Sequence, residues 1–296
     1  MEAILVIVGF LGAGKTTLLR RLTQSFLDEG WKPFILLNDY ENAHIDSQHF
    51  LELLDPESIS ALSGSCICCS GMAELRSLVN AIPQRERGVT LIEANGTTDA
   101  CELMGFLGVG LDDRFLPPVQ ISVVDARHWQ ERGMGNGLEA SQIQVSSLVA
   151  LNHGAEAGTA QVENVKNQIS QLNPFAVTEN FDELKGTALI NLMPSTESVS
   201  GKIDHQDFHW SSCSVDLDDP MSKEKLVQVL NQLPEGILRV KGCTKLDDDP
   251  FYSFIERIPS GETLIRPYTG RLVTGPKLLT IGPGSDPVVL KSLLGR

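Results

Sequence analysis

A chain of 296 residues, 42% hydrophobic and 21% charged, has the material for a sizeable core, and its length predicts one large domain plus a smaller one. With 24 basic against 38 acidic residues the net charge is −14, which repels a nucleic-acid backbone and argues against nucleic acid as a main partner. No apolar run reaches membrane-spanning length, and the six cysteines, three of them crowded at 66, 68 and 69, do not have the spacing of a disulfide framework, so the expected home is a reducing cytoplasm with no membrane partner.

Residues 3–8 form an unbroken apolar run, as in a strand covered on both faces of a parallel sheet, and Leu18, Leu19 and Leu22 then fall at helical spacing. The run has no basic leader, so it is not read as a signal peptide. Between strand and helix, Gly9-Phe10-Leu11-Gly12-Ala13-Gly14-Lys15-Thr16-Thr17 fits GxxxxGKT. Glycines in such a loop let successive backbone N–H groups point at phosphate oxygens, and the helix adds its positive N-terminal dipole. Gly9, Gly12, Ala13, Gly14, Lys15, Thr16 and Thr17 are therefore the expected nucleotide-binding residues, with Lys15 at the β- and γ-phosphates and the Thr16 hydroxyl on Mg²⁺. The plainer alternative is a glycine turn used for close packing.

A second strand at 32–37 runs into a polar segment carrying Asp39, Glu41, His44 and Asp46. At the end of a parallel strand such residues face the ligand edge of the sheet, as a switch does, and Asp39 is a further candidate metal ligand; a solvated loop is the alternative. Cys66, Cys68 and Cys69 follow, just before a helical pattern at Leu75, Leu78, Val79 and Ile82. Three thiolates at that spacing converge on one soft ion, zinc or copper(I) among them, and tetrahedral zinc would take a fourth ligand from water, a partner or an acidic residue. Cys101, Cys213 and Cys243 stand alone and read as small core residues.

The apolar run at 89–93 ends in Glu93, placed as a Walker B acid for Mg²⁺, with Gly96 beyond it free to offer its N–H to a γ-phosphate; capping the next helix is the competing role for the acid. Two further strands at 119–125 and 147–152 flank a glycine-containing linker at 133–137, and Asn152 ends the second where a base-recognising loop is expected. His153 beside it reads as an exposed loop residue. A helix at 161–172 and a short strand after Pro174 complete a domain over 1–192. A linker over 193–207 and a smaller α+β domain over 208–296 follow, the latter with a helix at 223–233 and strands near 237–240, 251–258, 262–267 and 277–281. The expected fold class is thus α/β: a mainly parallel, helix-flanked P-loop NTPase sheet, then an antiparallel α+β domain.

Taken together, these motifs resemble the CobW-type family of P-loop GTPases, and the likeness spans nearly the whole chain. It rests on residues 9–17, Asn38-Asp39-Tyr40, Cys66-Ile67-Cys68-Cys69, Glu93 with Gly96, Val124-Asp125-Ala126, Leu172-Asn173-Pro174, and the tail segments 236–242 and 278–282. The resemblance implies a slow, switch-like GTPase in which Lys15, Thr16, Glu93 and Gly96 serve catalysis. It implies Thr16 and Glu93 on Mg²⁺, and Cys66, Cys68 and Cys69 on a transition-metal cargo, commonly zinc, cobalt, nickel or iron, for a client protein. A homodimer is compatible with it. One departure is that the base-reading NKxD becomes Asn152-His153-Gly154-Ala155, which removes the aspartate that accepts two guanine hydrogens; Glu156 follows one position later. The competing readings are a degenerate nucleotide-binding, metal-sequestering interaction protein with little turnover, and a P-loop small-molecule kinase, for which no arginine-rich lid is evident.

Overall fold

A computed structural model describes residues 1–37, 50–61, 72–192, 194, 212–217, 219–234, 236–237, 239–247, 249–257, 263–268, 276–281 and 285–295. The chain divides into two compact units, Met1–Ser200 and Gly201–Arg296.

The first unit runs β1 (Ala3–Val8), α1 (Lys15–Asp28), β2 (Lys32–Leu37), β3 (Ile59–Ala61), α2 (Met72–Ala81), β4 (Gly88–Glu93), α3 (Ala100–Leu107) and β5 (Val119–Asp125). It continues with α4 (Asn136–Gln144), β6 (Leu148–Asn152), α5 (Gly154–Ala157), α6 (Thr159–Leu172), β7 (Val177–Asn180) and α7 (Gly186–Leu189). The strands form one sheet in the order β3-β2-β4-β1-β5-β6-β7, every pairing parallel. The apolar run of β1 is buried on both faces because its side chains alternate between two cores. Ala3, Leu5 and Ile7 join Leu18, Leu19, Leu22 and Phe26 of α1 on one face, while Ile4, Val6 and Val8 join Leu75 and Val79 of α2 and Leu103 and Leu107 of α3 on the other. Full burial of such strands is what helix-covered parallel sheets require.

The stretch expected as a glycine linker at 133–137 is instead a 3-10 turn, Gly133–Gly135, leading into α4. Apolar periodicity does not mark this helix, because polar bonds hold its start: Asn136 accepts from the Arg132 N–H at 2.7 Å and donates to the Gln130 carbonyl at 2.7 Å, and Glu139 accepts from the Gln130 N–H at 2.8 Å.

The second unit contains β8 (Ser212–Asp216), α8 (Lys223–Asn231), β9 (Arg239–Lys245), β10 (Tyr252–Arg257), β11 (Thr263–Tyr268), β12 (Lys277–Ile281) and α9 (Pro287–Leu294). Its antiparallel sheet has the order β11-β10-β9-β12-β8. Val215, Leu226, Val229, Val240, Leu278, Leu290 and Leu294 meet in one core. Both helices start on side-chain caps, with Ser222 accepting from Lys225 N–H at 3.1 Å and Asp286 from Val288 N–H at 2.6 Å. The sequence pattern shows neither β8 nor α9. Cys213 and Cys243 are core residues as expected, and burial pushes the Cys243 thiol up to about 12. Among the described residues no helix is long and apolar enough to cross a membrane.

Candidate functional site

The ends of β1, β4, β5 and β6 meet the start of α1 at one edge of the parallel sheet. Gly9 leaves β1 with φ +151°, and a β-carbon there would lie 2.4 Å from the Val123 carbonyl oxygen of β5, so only glycine lets the loop start this close to the neighbouring strand. Gly12 and Gly14 also have positive φ, Ala13 is buried between them, and α1 begins at Lys15 with no side-chain cap. This is the strand, loop and helix N-terminus expected from residues 9–17. Lys15 is 4% exposed, and its ammonium donates to the carbonyls of Gly9 at 2.9 Å and Phe10 at 3.2 Å, folding back over the loop. Thr17 is exposed on the first turn of α1.

Thr16 donates its hydroxyl hydrogen to Glu93 Oε1 at 2.8 Å. The register explains how residues so far apart in sequence meet: Ile7 of β1 pairs with Glu93 of β4, so the two strands end within one residue of the same level. Beyond Glu93 the chain turns at Gly96, which packs on the phosphate loop; a β-carbon at Gly96 would stand 2.5 Å from Leu11 Cδ2 and 2.9 Å from Leu11 N. The helix after this turn is capped by Asp99, which accepts from Glu102 N–H at 3.1 Å, so Glu93 is not its cap.

Asn152 reaches the loop from β6. Its Nδ2 donates to the Ala13 carbonyl at 3.0 Å, and a β-carbon on Gly14 would fall 2.5 Å from that nitrogen. His153, at φ +57°, starts the short α5, and its Nδ1 lies 3.1 Å from Glu156 Oε1. Glu156 Oε2 accepts from Arg127 Nη1 at 2.6 Å, and the same guanidinium grips Asp125 with Nε and Nη2 at 3.1 and 3.0 Å. Hydrogen bonds from His153 and Arg127 hold the Glu156 carboxyl below the usual carboxylate range. Ala155 is exposed and offers no acceptor from its side chain. His153, partly buried, is therefore tied into a hydrogen-bonded network through Glu156 rather than being a plain exposed loop residue. Arg127 had no mark in the sequence beyond its place after Asp125.

Burial alone would raise the Asp125 carboxyl, but hydrogen bonds and charge from Arg127, with a smaller contribution from His153, outweigh it and leave it low. A carboxyl depressed in the fold contributes stability that is complete above its unfolded value of about 3.9 and is lost as the pH falls through the folded value. Asp125→Asn is expected to cost about 1–3 kcal/mol at neutral pH. That deficit should shrink as the pH is lowered below about 4. Urea unfolding of both proteins at several pH values measures this, and a pH-independent deficit would show that charge is not its origin.

Asp39, Glu41, His44 and Asp46 of the expected switch, and the expected cargo ligands Cys66, Cys68 and Cys69, lie outside the described residues. Among the described residues no group of three His, Cys, Asp or Glu side chains is arranged to hold a metal ion.

Comparison with known proteins adds context to this geometry. Residues 3–178 match the family described as CobW/HypB/UreG, nucleotide-binding domain, and residues 210–257 match the cobalamin synthesis protein cobW C-terminal domain. The zinc chaperone YjiA of Escherichia coli is 26% identical over 285 residues, covering 88% of each chain. The zinc chaperone CobW of Pseudomonas aeruginosa is 24% identical over 304 residues, covering 86% of this chain and 79% of its own. The crystal structure of Zn(II)-bound YjiA GTPase from E. coli aligns over 99% of this chain and 98% of its own, at 21% identity and a TM-score of 0.45.

Proposed function

We propose a function from one premise: the chain belongs to the CobW/HypB/UreG nucleotide-binding family. It is a GTPase that couples slow hydrolysis to delivery of a transition metal, zinc in the first instance, to a client protein in the cytoplasm. The observation that carries this reading is the convergence of the Lys15 ammonium, the Thr16 hydroxyl and the Glu93 carboxylate on one phosphate-loop edge, with Thr16 and Glu93 2.8 Å apart. A hydroxyl and a carboxylate are hard oxygen donors that suit Mg²⁺, so Thr16 and Glu93 are the residues that would hold it. Bound there, the ion would neutralise charge on the β- and γ-phosphates. Lys15 exchanges the carbonyls of Gly9 and Phe10 for phosphate oxygens, and the loop N–H groups and the start of α1 orient the triphosphate. Gly96, against Leu11, brings its N–H to the terminal phosphate and senses its loss.

The zinc-chaperone names of the relatives support zinc as cargo, and Cys66, Cys68 and Cys69 are its proposed ligands. Base selection is where this chain departs from strict guanine reading. Glu156, the acid nearest the missing aspartate, is already engaged by Arg127 and His153, which favours a purine site with weakened discrimination against adenine.

Calorimetric titration of the Mg²⁺-loaded protein with non-hydrolysable GTP and ATP analogues, with and without zinc, tests both points. GTP-analogue binding is expected, with an ATP-analogue affinity closer than the ten-thousandfold gap that a fully paired polar site gives. Binding of neither analogue would sink the GTPase reading and leave a metal-binding scaffold. In the same preparation, replacing Cys66, Cys68 and Cys69 with serine is expected to abolish zinc binding and any zinc effect on turnover. Retained zinc stoichiometry would move the cargo site elsewhere.

A further inference from the structure

Buried polar side chains cost stability unless they are satisfied, so a buried amide beside a turn marks a place where orientation matters. Gln142 of α4 is 1% exposed, and its Nε2 donates to two carbonyls of the turn after β4: Gly96 at 3.1 Å and Thr98 at 3.1 Å. Its own Oε1 has no hydrogen-bond partner among the described residues, so the amide is held there by its two donors. From the other side, Gln120 Nε2 at 2.6 Å and Ser122 Oγ at 2.7 Å, both on β5, donate to the Gln142 backbone carbonyl. The turn is braced internally as well, Asn95 accepting from Thr97 N–H through its side chain at 3.2 Å and from Thr98 N–H through its carbonyl at 3.0 Å.

We propose that Gln142 is a positioning residue for hydrolysis, which fixes the 96–98 turn in the shape that presents Gly96 to the terminal phosphate and ties α4 to nucleotide state. This rests on the GTPase reading above. With the carbonyls of Gly96 and Thr98 both fixed by one amide, the peptide planes on either side of Thr97 and Thr98 are not free to turn separately. Gly96 has no lateral room either, since it is pressed on Leu11 of the phosphate loop. A movement of Gly96 toward or away from a phosphate therefore strains or breaks both Gln142 bonds at once. The same helix touches the phosphate loop by a second route: Glu139 accepts from Arg132 Nε at 3.2 Å, and the Arg132 guanidinium lies 5.5 Å over the ring of Phe10. Thus α4 is braced against both walls of the γ-phosphate site, and its polar sequence follows from that position.

The test compares the full-length wild type with Gln142→Met, which keeps the volume and loses both donors, and with Gln142→Glu, which keeps the shape and replaces the NH₂ by an acceptor. Leu107→Ala is the control, opening a void in the core at the end of α3 away from the turn, with no contact to Gln142. Affinities for GDP and for a non-hydrolysable GTP analogue, single-turnover hydrolysis and Tm are read for each. Both Gln142 variants are expected to bind GDP within about twofold of wild type, while analogue affinity and turnover each fall about tenfold, the size of one or two lost net hydrogen bonds. Leu107→Ala is expected to lower Tm and leave the GDP-to-analogue ratio unchanged. Equal loss for both nucleotides, or the same ratio in all variants, would overturn the positioning role. A wild type that binds neither nucleotide would instead overturn the GTPase reading, and this proposal with it.

Discussion

Lys15→Ala is expected to lower GTP turnover by about a hundred- to a thousandfold, the usual loss when one preorganised donor to transition-state charge is removed. Lys15 is the buried cation of the loop, held by the carbonyls of Gly9 and Phe10, and in the proposed site its ammonium turns to the β- and γ-phosphates. Alanine removes the charge and leaves two carbonyl oxygens facing the phosphates. The fold should survive, because the glycine geometry of the loop does not depend on the side chain. Phosphate release under saturating nucleotide, with Tm as the check on folding, measures the effect. Turnover at the wild-type level would mean that the loop does not do the chemistry.

The largest effect on stability is expected at Phe26, in the last turns of α1. Its side chain is fully buried, its ring meets Trp31 edge-on with centroids 6.1 Å apart, and a β-carbon on Gly186 of α7 would come within 3.0 Å of it. Phe26→Ala opens a cavity between α1, α7 and the sheet, and a loss of about 3–5 kcal/mol follows from the removed area and the void together. Urea unfolding reads it directly. A loss below about 1 kcal/mol would show that the site collapses around the smaller residue. Because α1 begins at Lys15, nucleotide binding should weaken in parallel, and added nucleotide should restore part of the lost Tm.

What the sequence made legible depends on how each element is held. The glycine loop and β1 are readable because a glycine pattern and an unbroken apolar run each carry their own cause, close approach of the loop to the neighbouring strand and strand burial on two faces. The place of Glu93 is readable because a parallel strand ends at it, and the strand end meets the start of α1 through the bond from Thr16. Helix α4 is not readable: Asn136 to Gln144 carries two buried apolar residues, Leu138 and Ile143, while Glu139, Ser141 and Gln142 are buried through hydrogen bonds, which leave no periodic mark. The ion pairs around Glu156 are hidden for a related reason, since Arg127 and Glu156 are distant in sequence and meet only because β5 and β6 are neighbours. In the second unit, β8 and α9 are short, and pairing with β12 and packing in the core define them more than local propensity does.

The central place of β1 also fixes the order in which the domain can form. Ala3 pairs with Val89 and Leu5 with Val119, so β1, made before β4 and β5, has neither sheet partner until they have been made. Long loop closures precede any stable pairing, which makes such topologies slow to fold and leaves an apolar segment of six residues uncovered in the meantime. The wall that Gly9 abuts, the Val123 carbonyl, arrives with β5, and the Gly96 turn arrives with β4. The phosphate site is therefore a late product of folding, and a nascent chain acquires affinity for nucleotide only once the centre of its sheet is closed.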